Sequence, residues 1–162
     1  MDKIDLRILA LFQNDTRRIA AAIGEKVGLS AAAVQRRLKS LRASGAIQAE
    51  IAQLNPAAVG VRITCIVTIC MASSAAPHKQ LDRFKREICR APEVQQCYHV
   101  TGAVDFVVVV NVRAMEDYAE FARRWFEENR AVARFDTFVV LNRVKVGMGL
   151  PIALDDRAGG EV

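Results

Sequence analysis

Apolar residues at Ile4, Ile8, Leu11 and Phe12 recur at i, i+4, i+7 and i+8, which predicts a helix from the start of the chain to about Asn14. Ile19, Ile23 and Val27 are spaced by four within "RIAAAIGEKV" and predict a second, short helix that "GLS" interrupts. Gly28 suits a tight turn, Leu29 can plug the space between helices, and the Ser30 hydroxyl can cap a new helix beginning at Ala31. Val34, Leu38 and Leu41 form that helix's buried stripe, and Gly45 closes it. Three helices with this turn make a helix-turn-helix unit over residues 1–46.

Beyond Gly45 the periodicity changes. "AIQAEIAQL" alternates as a short extended segment and "NPAAVG" reads as a turn, so residues 47–60 are expected to be a hinge strand and linker with the boundary near Asn55. The pattern then predicts strand 61–72, helix 77–90, strand 94–101, strand 106–112, helix 115–129 and strand 133–143. The first of these helices rests on Leu81, Phe84 and Ile88. The second rests on Met115, Tyr118, Phe121, Ala122, Trp125 and Phe126. The order βαββαβ is that of a ferredoxin-like domain, here over 61–152, with residues 153–162 as a flexible tail. The fold class expected for the whole chain is α+β. "FVVVV" and "FVVL" offer apolar side chains to both faces of the sheet, whereas two helices cover only one face. The uncovered face predicts self-association through residues 55–150, the alternative being that the N-terminal unit folds back over the sheet.

Charge adds location more than class. The chain carries a net charge of +5, which permits an acidic partner without requiring one. Residues 1–54 hold nine Lys or Arg against five Asp or Glu, and no acid lies between Glu25 and Glu50. On the third helix Ala32, Arg36, Lys39 and Ala43 face away from the buried stripe. Ala31, Ala32 and Ala33 keep its N-terminus slim, and Gln35, Arg37 and Arg42 stand beside it. A slim, cationic helix start fits the DNA major groove: arginine forks onto guanine, and lysine and the helix N-terminus favour phosphate. The expected DNA-binding residues are therefore Ser30, Ala32, Ala33, Gln35, Arg36, Arg37, Lys39 and Arg42. Arg36, Lys39 and Ala32 would approach bases, and Arg37, Arg42 and Ser30 would serve phosphates or support the helix. Arg37 is not squarely outward and could instead brace the core.

Cys65, Cys70, Cys89 and Cys97 match no zinc spacing and read as small core residues, while His78 and His99 stand apart from any ligand set. No metal or cofactor is expected. The opening "MDKIDLRILA" lacks the layout of a signal peptide and "ITCIVTICMA" is too short to span a bilayer, so a cytoplasmic chain without membrane contact is expected.

Several longer motifs resemble the Lrp/AsnC, or feast/famine, transcription regulators of bacteria and archaea. "DKIDLRILALFQNDTRR" is similar to the family opening, and "VGLSAAAVQRRLKSLRASGAI" resembles its helix-turn-helix segment. "CYHVTGAVDFVVVVNV", "MEDYAEF" and "DTFVVLNRVKVGMGLPI" resemble its regulatory domain. The resemblance implies a winged or simple helix-turn-helix on double-stranded promoter DNA, a hinge strand, and a ferredoxin-like domain that dimerises and assembles further. It also implies a small effector, often an amino acid, near a G-x-x-D loop. By position that loop is Gly102, Ala103, Val104 and Asp105, preceded by Thr101, with Thr137 as the strand residue facing it. Gly102 allows close backbone approach, and Asp105 can pair with an α-ammonium group or instead cap the turn between strands. Val104 and Phe135 make the pocket more apolar than is usual in the family, and Ala114 replaces a common N-cap residue.

The function expected is a sequence-specific transcriptional regulator whose assembly or DNA binding responds to a metabolite. An architectural DNA-binding protein and a small-molecule sensor without a DNA role are the alternatives. There is no phosphate loop, carboxylate pair or activated nucleophile to suggest an enzyme.

Overall fold

The computed structural model describes residues 1–73 and 77–154. It divides into two compact units. Leu54–Lys145 form one, and Met1–Gln53 with the described residues from Val146 form the other.

The first unit contains α1 (Lys3–Phe12), α2 (Ala20–Val27) and α3 (Ala31–Ala43). Their faces enclose Ile8, Phe12, Ile23, Val34 and Leu38, with Ile4, Leu11, Val27, Leu29 and Ile47 packed around them. The spacing identified this core with one exception. Ile19 is 69% exposed because it is the N-cap of α2, with extended backbone, and never joins the helical face. Asp2 and Asp5 cap α1 reciprocally: each carboxylate accepts the other's backbone N–H, at 2.8 and 2.9 Å.

Gly45 follows α3 at φ 77°, and the chain turns so that the Ile47 N–H bonds the Leu41 carbonyl at 3.1 Å. Among the described residues, the extended segment expected within the 47–60 hinge and linker pairs with no other strand. Extended backbone becomes sheet only when a second strand satisfies its N–H and C=O groups, and no strand among the described residues lies beside it. Val146 and the described residues after it pack with the first unit. There the Gln13 side-chain amide grips Leu150 at both backbone groups, donating to its carbonyl at 3.0 Å and accepting from its N–H at 2.9 Å. Of the tail expected at 153–162, residues 155–162 lie outside the described residues.

The second unit begins with a 3₁₀ turn (Pro56–Val59) that Asn55 caps. It continues as β1 (Ile63–Met71), α4 (Pro77–Ile88), β2 (Val94–His99), β3 (Phe106–Val112), α5 (Met115–Ala122) and β4 (Val132–Val139). The strands form one antiparallel sheet in the order β2-β3-β1-β4, the ferredoxin-like arrangement. Cys65, Val67 and Ile69 of β1 and alternate residues of β3 from Phe106 to Val112 face the helices. They are buried against Phe84, Ile88, Tyr118, Phe121 and Phe126. Met115 is 44% exposed instead of joining the α5 stripe. Ala114 cannot cap α5 with a side chain, but Asp117 reaches back to accept the Ala114 N–H at 3.1 Å, so the helix start is held after all. Only Cys65 of the four cysteines is fully buried and Cys89 is exposed, while burial pushes the Cys97 thiol up to about 11.

On the other face Ile66 pairs with Val109 on one side and Phe138 on the other, an apolar row across three strands. Ile66 is 38% and Phe138 57% exposed. Among the described residues no helix is long and apolar enough to cross a membrane.

Candidate nucleic-acid interface and ligand loop

Helix α3 is set on its neighbours by a close backbone approach. Gly28 adopts φ 72° after α2, and both its N–H and that of Leu29 return to the Gly24 carbonyl. A Cβ built on Gly24 would stand 2.3 Å from the Leu29 carbonyl oxygen, so only glycine lets the turn lie against α2. The sequence reading passed over this residue. Its signal was a glycine inside an otherwise helical apolar pattern, which commonly marks close packing. The Ser30 hydroxyl then accepts the Ala33 N–H at 3.3 Å and fixes the start of α3.

From that start Ala31, Ala32, Gln35, Arg36, Lys39 and Ala43 are exposed, while Ala33 is half-buried. The four cations divide into two kinds. Arg37 Nη1 reaches both Asp2 and Asp5 at 2.7 Å, tying α3 to the capped end of α1. These bonds raise the Arg37 pKa, Asp5 contributing most, while the Asp5 backbone N–H and then Arg37 lower that of Asp2. The Arg37 guanidinium is thus turned to the capped end of α1. Arg42 lies 5.6 Å over the Phe12 ring and bonds Glu50 at 2.6 Å. Arg36 and Lys39 carry no acidic partner among the described residues. Beside them a groove of about 450 Å³ brings Thr16 and Arg18, from the α1–α2 connection, next to Gln35 and Lys39. Sequence reasoning missed Thr16 and Arg18 because that connection shows no periodicity.

The second candidate site is the loop between β2 and β3. Thr101 and Gly102 are exposed, Val104 and Asp105 half-buried, and Gly102 sits at φ 119°. The loop is strapped to the end of β1. The Asp105 N–H bonds the Ile69 carbonyl at 2.8 Å, its carboxylate accepts the Met71 N–H at 2.7 Å, and the Cys70 thiol lies 3.5 Å from the Ala103 carbonyl. Thr137 does not join this group within the chain. It pairs with Val67 and exchanges a hydrogen bond with the Tyr118 hydroxyl on the helix-covered side. Val67 and Met71 are four positions apart on β1, about 13 Å at the usual rise. Counting along the sequence could not show that α5 covers this part of β4. Among the described residues no group of three or more His, Cys, Asp or Glu is gathered as a metal site.

The profile of the AsnC-type helix-turn-helix domain matches residues 1–42, and that of the Lrp/AsnC ligand binding domain matches residues 64–150. The chain belongs to the Lrp/AsnC family. This Lrp/AsnC protein is thus a DNA-binding transcriptional regulator with a ligand-binding domain, not an enzyme. It is 40% identical over 154 residues to an uncharacterised HTH-type transcriptional regulator of Sinorhizobium fredii, covering 95% of this chain and 90% of that one. Its fold matches the crystal structure of an AsnC family regulator from Agrobacterium tumefaciens with a TM-score of 0.84 at 29% identity, covering 93% and 97% of the two chains. A Neisseria meningitidis regulator, solved as a complex with L-Met, shares the fold at 24% identity with a TM-score of 0.82, over 93% and 96% of the chains.

Proposed function

We propose that this regulator reads promoter sequences in the cytoplasm through the exposed face of α3 and changes its assembly or DNA binding when an amino acid occupies the Thr101–Asp105 loop. The observation that carries the DNA half is the division of charge on α3. Arg37 and Arg42 are held by acids of the same unit, which leaves Arg36 and Lys39 uncompensated beside a slim helix start. Ala32 and Gln35 share the reading face. Thr16, Arg18, Ser30 and the α3 N-terminus are placed for backbone phosphates. Arg37, Arg42 and Ala33 support the helix.

The ligand half rests on the matched ligand-binding domain and on Gly102 and Asp105 in one loop. Asp105 already serves the turn through Met71, so its charge and its hydrogen bond must be separated experimentally. Asp105→Asn keeps an acceptor for the Met71 N–H but removes the negative charge for an ammonium group. The expected result is unchanged melting and unchanged DNA affinity without effector, together with loss of the response to a panel of amino acids in a DNA-binding titration. A response equal to wild type would remove Asp105 from the site. The titrations should also show log affinity falling with log salt at about −0.9 per phosphate neutralised on duplex DNA.

The open sheet face fits a second copy of the chain, and a symmetric dimer presents two reading helices to two half-sites. Ile66→Asp places a charge in the middle of the apolar row. The expected outcome is a shift toward monomer in light scattering and weaker binding to a two-half-site operator. An unchanged assembly would assign the contact elsewhere.

A further inference from the structure

The helix-covered side of the second unit carries a feature that neither DNA reading nor the β2–β3 loop uses. Beyond α5 the helix does not continue regularly. Arg123–Glu127 form a π turn, with the Glu128 N–H bonding the Arg123 carbonyl at 2.9 Å. Such wide turns concentrate at functional sites. This one places Arg124 and Trp125 along a groove of about 840 Å³ whose opposite bank is α4. Lys79, Arg83 and Glu87 follow one another on that bank at intervals of four, and Arg130 lies beyond the π turn.

The charges in this groove do not balance. Glu87 is taken by Arg83 at 2.8 Å, and Glu128 is taken by Arg123. Arg124 lies 3.5 Å from Glu93 and 5.5 Å over the Trp125 ring. Lys79 and Arg130 have no acidic partner among the described residues. The Trp125 indole N–H is buried and has no acceptor among the described residues. Buried donors are ordinarily satisfied, so an unmet donor on a residue that lines the groove leaves a place for an acceptor from outside the described residues. The volume falls within the roughly 300–1,000 Å³ usual for small-molecule sites.

We infer that the groove between α4 and the π turn is a second ligand site, for a small dianionic metabolite whose oxygens engage Lys79 and Arg130 and supply the acceptor for the Trp125 N–H. The inference does not depend on the amino-acid reading of the Thr101–Asp105 loop. It gives this regulator an input of opposite chemistry: acid groups held by cations, in place of an ammonium group held by Asp105.

Trp125 is the single tryptophan of the chain, so indole emission reports on the groove directly. The test titrates the full-length protein with succinate, citrate and inorganic phosphate, with sodium chloride at matched ionic strength as control. A saturable change with at least one probe is expected. Its apparent affinity should weaken tenfold or more in Lys79→Gln and Arg130→Gln and stay unchanged in Asp105→Asn. The carboxylate and phosphate arms tell which oxyacid is taken. Both substitutions are at exposed positions, and circular dichroism confirms that each variant is folded. Emission that follows ionic strength alone, no saturable change with any probe, a response the two variants retain, or one that Asp105→Asn abolishes would each overturn the assignment.

Discussion

Gly24→Ala is expected to destabilise the helix-turn-helix unit, although the same substitution inside an unconstrained helix would stabilise it. The favourable part is backbone entropy and helix propensity, about 0.5–1 kcal/mol. Against it stands the new methyl carbon, 2.3 Å from the Leu29 carbonyl oxygen. That neighbour is backbone, so it cannot move aside by changing rotamer; relief requires shifting the turn or tilting α3. Overpacking of this kind costs about 1–3 kcal/mol and more when backbone must yield, so the clash wins. In a unit this small, each kcal/mol lowers the melting temperature by about 4–8 °C. Displacement of Ser30 and the α3 start should also weaken DNA binding beyond what unfolding explains. Thermal melting followed by far-UV circular dichroism, paired with an operator titration at a temperature where the variant is folded, checks both parts. A variant that melts at or above wild type would show that the turn yields to a methyl group without loss.

Arg36→Ala should lower operator affinity and flatten discrimination between sequences without changing stability. An arginine forked onto guanine contributes about 1–3 kcal/mol of discrimination, or roughly 5–150-fold. Because Arg36 is exposed and has no acidic partner among the described residues, its removal leaves no buried charge behind. Arg37→Ala is the natural contrast. It removes a partner from both Asp2 and Asp5, so it should lower the melting temperature while leaving the base preference of the folded protein in place. Competition titrations on operator and scrambled duplexes separate the two. Equal loss on both duplexes for Arg36→Ala would make it a phosphate contact, and a changed base preference for Arg37→Ala would return that residue to the reading face.

Much of the architecture was legible because it depends on local periodicity. Val34, Leu38 and Leu41 were readable as one stripe, and all three are buried. The βαββαβ order followed from the change between helical and alternating spacing, and the sheet has the order that arrangement requires. The less accurate readings fell where periodicity meets an element's end: Ile19 and Met115 fit the repeat but sit at helix starts, where the chain has not yet turned inward. The π turn was illegible for a related reason, since "ARRWFEENR" carries an acceptable α-helical pattern and the wider turn shows only in its hydrogen bond.

What the sequence by itself determined was which elements form, which stripe each one buries, and that α3 would be slim and basic. Those properties rest on neighbours within a few residues, and burial of apolar side chains enforces them whatever the detailed packing. Only the tertiary structure decided which cations remain free, because Arg37 meets acids 32 and 35 positions away. The same holds for Gly24 against Leu29, for Thr137 beneath Tyr118, and for Leu150 returning to Gln13. Each of these depends on distances of a few ångströms between segments that only packing brings together.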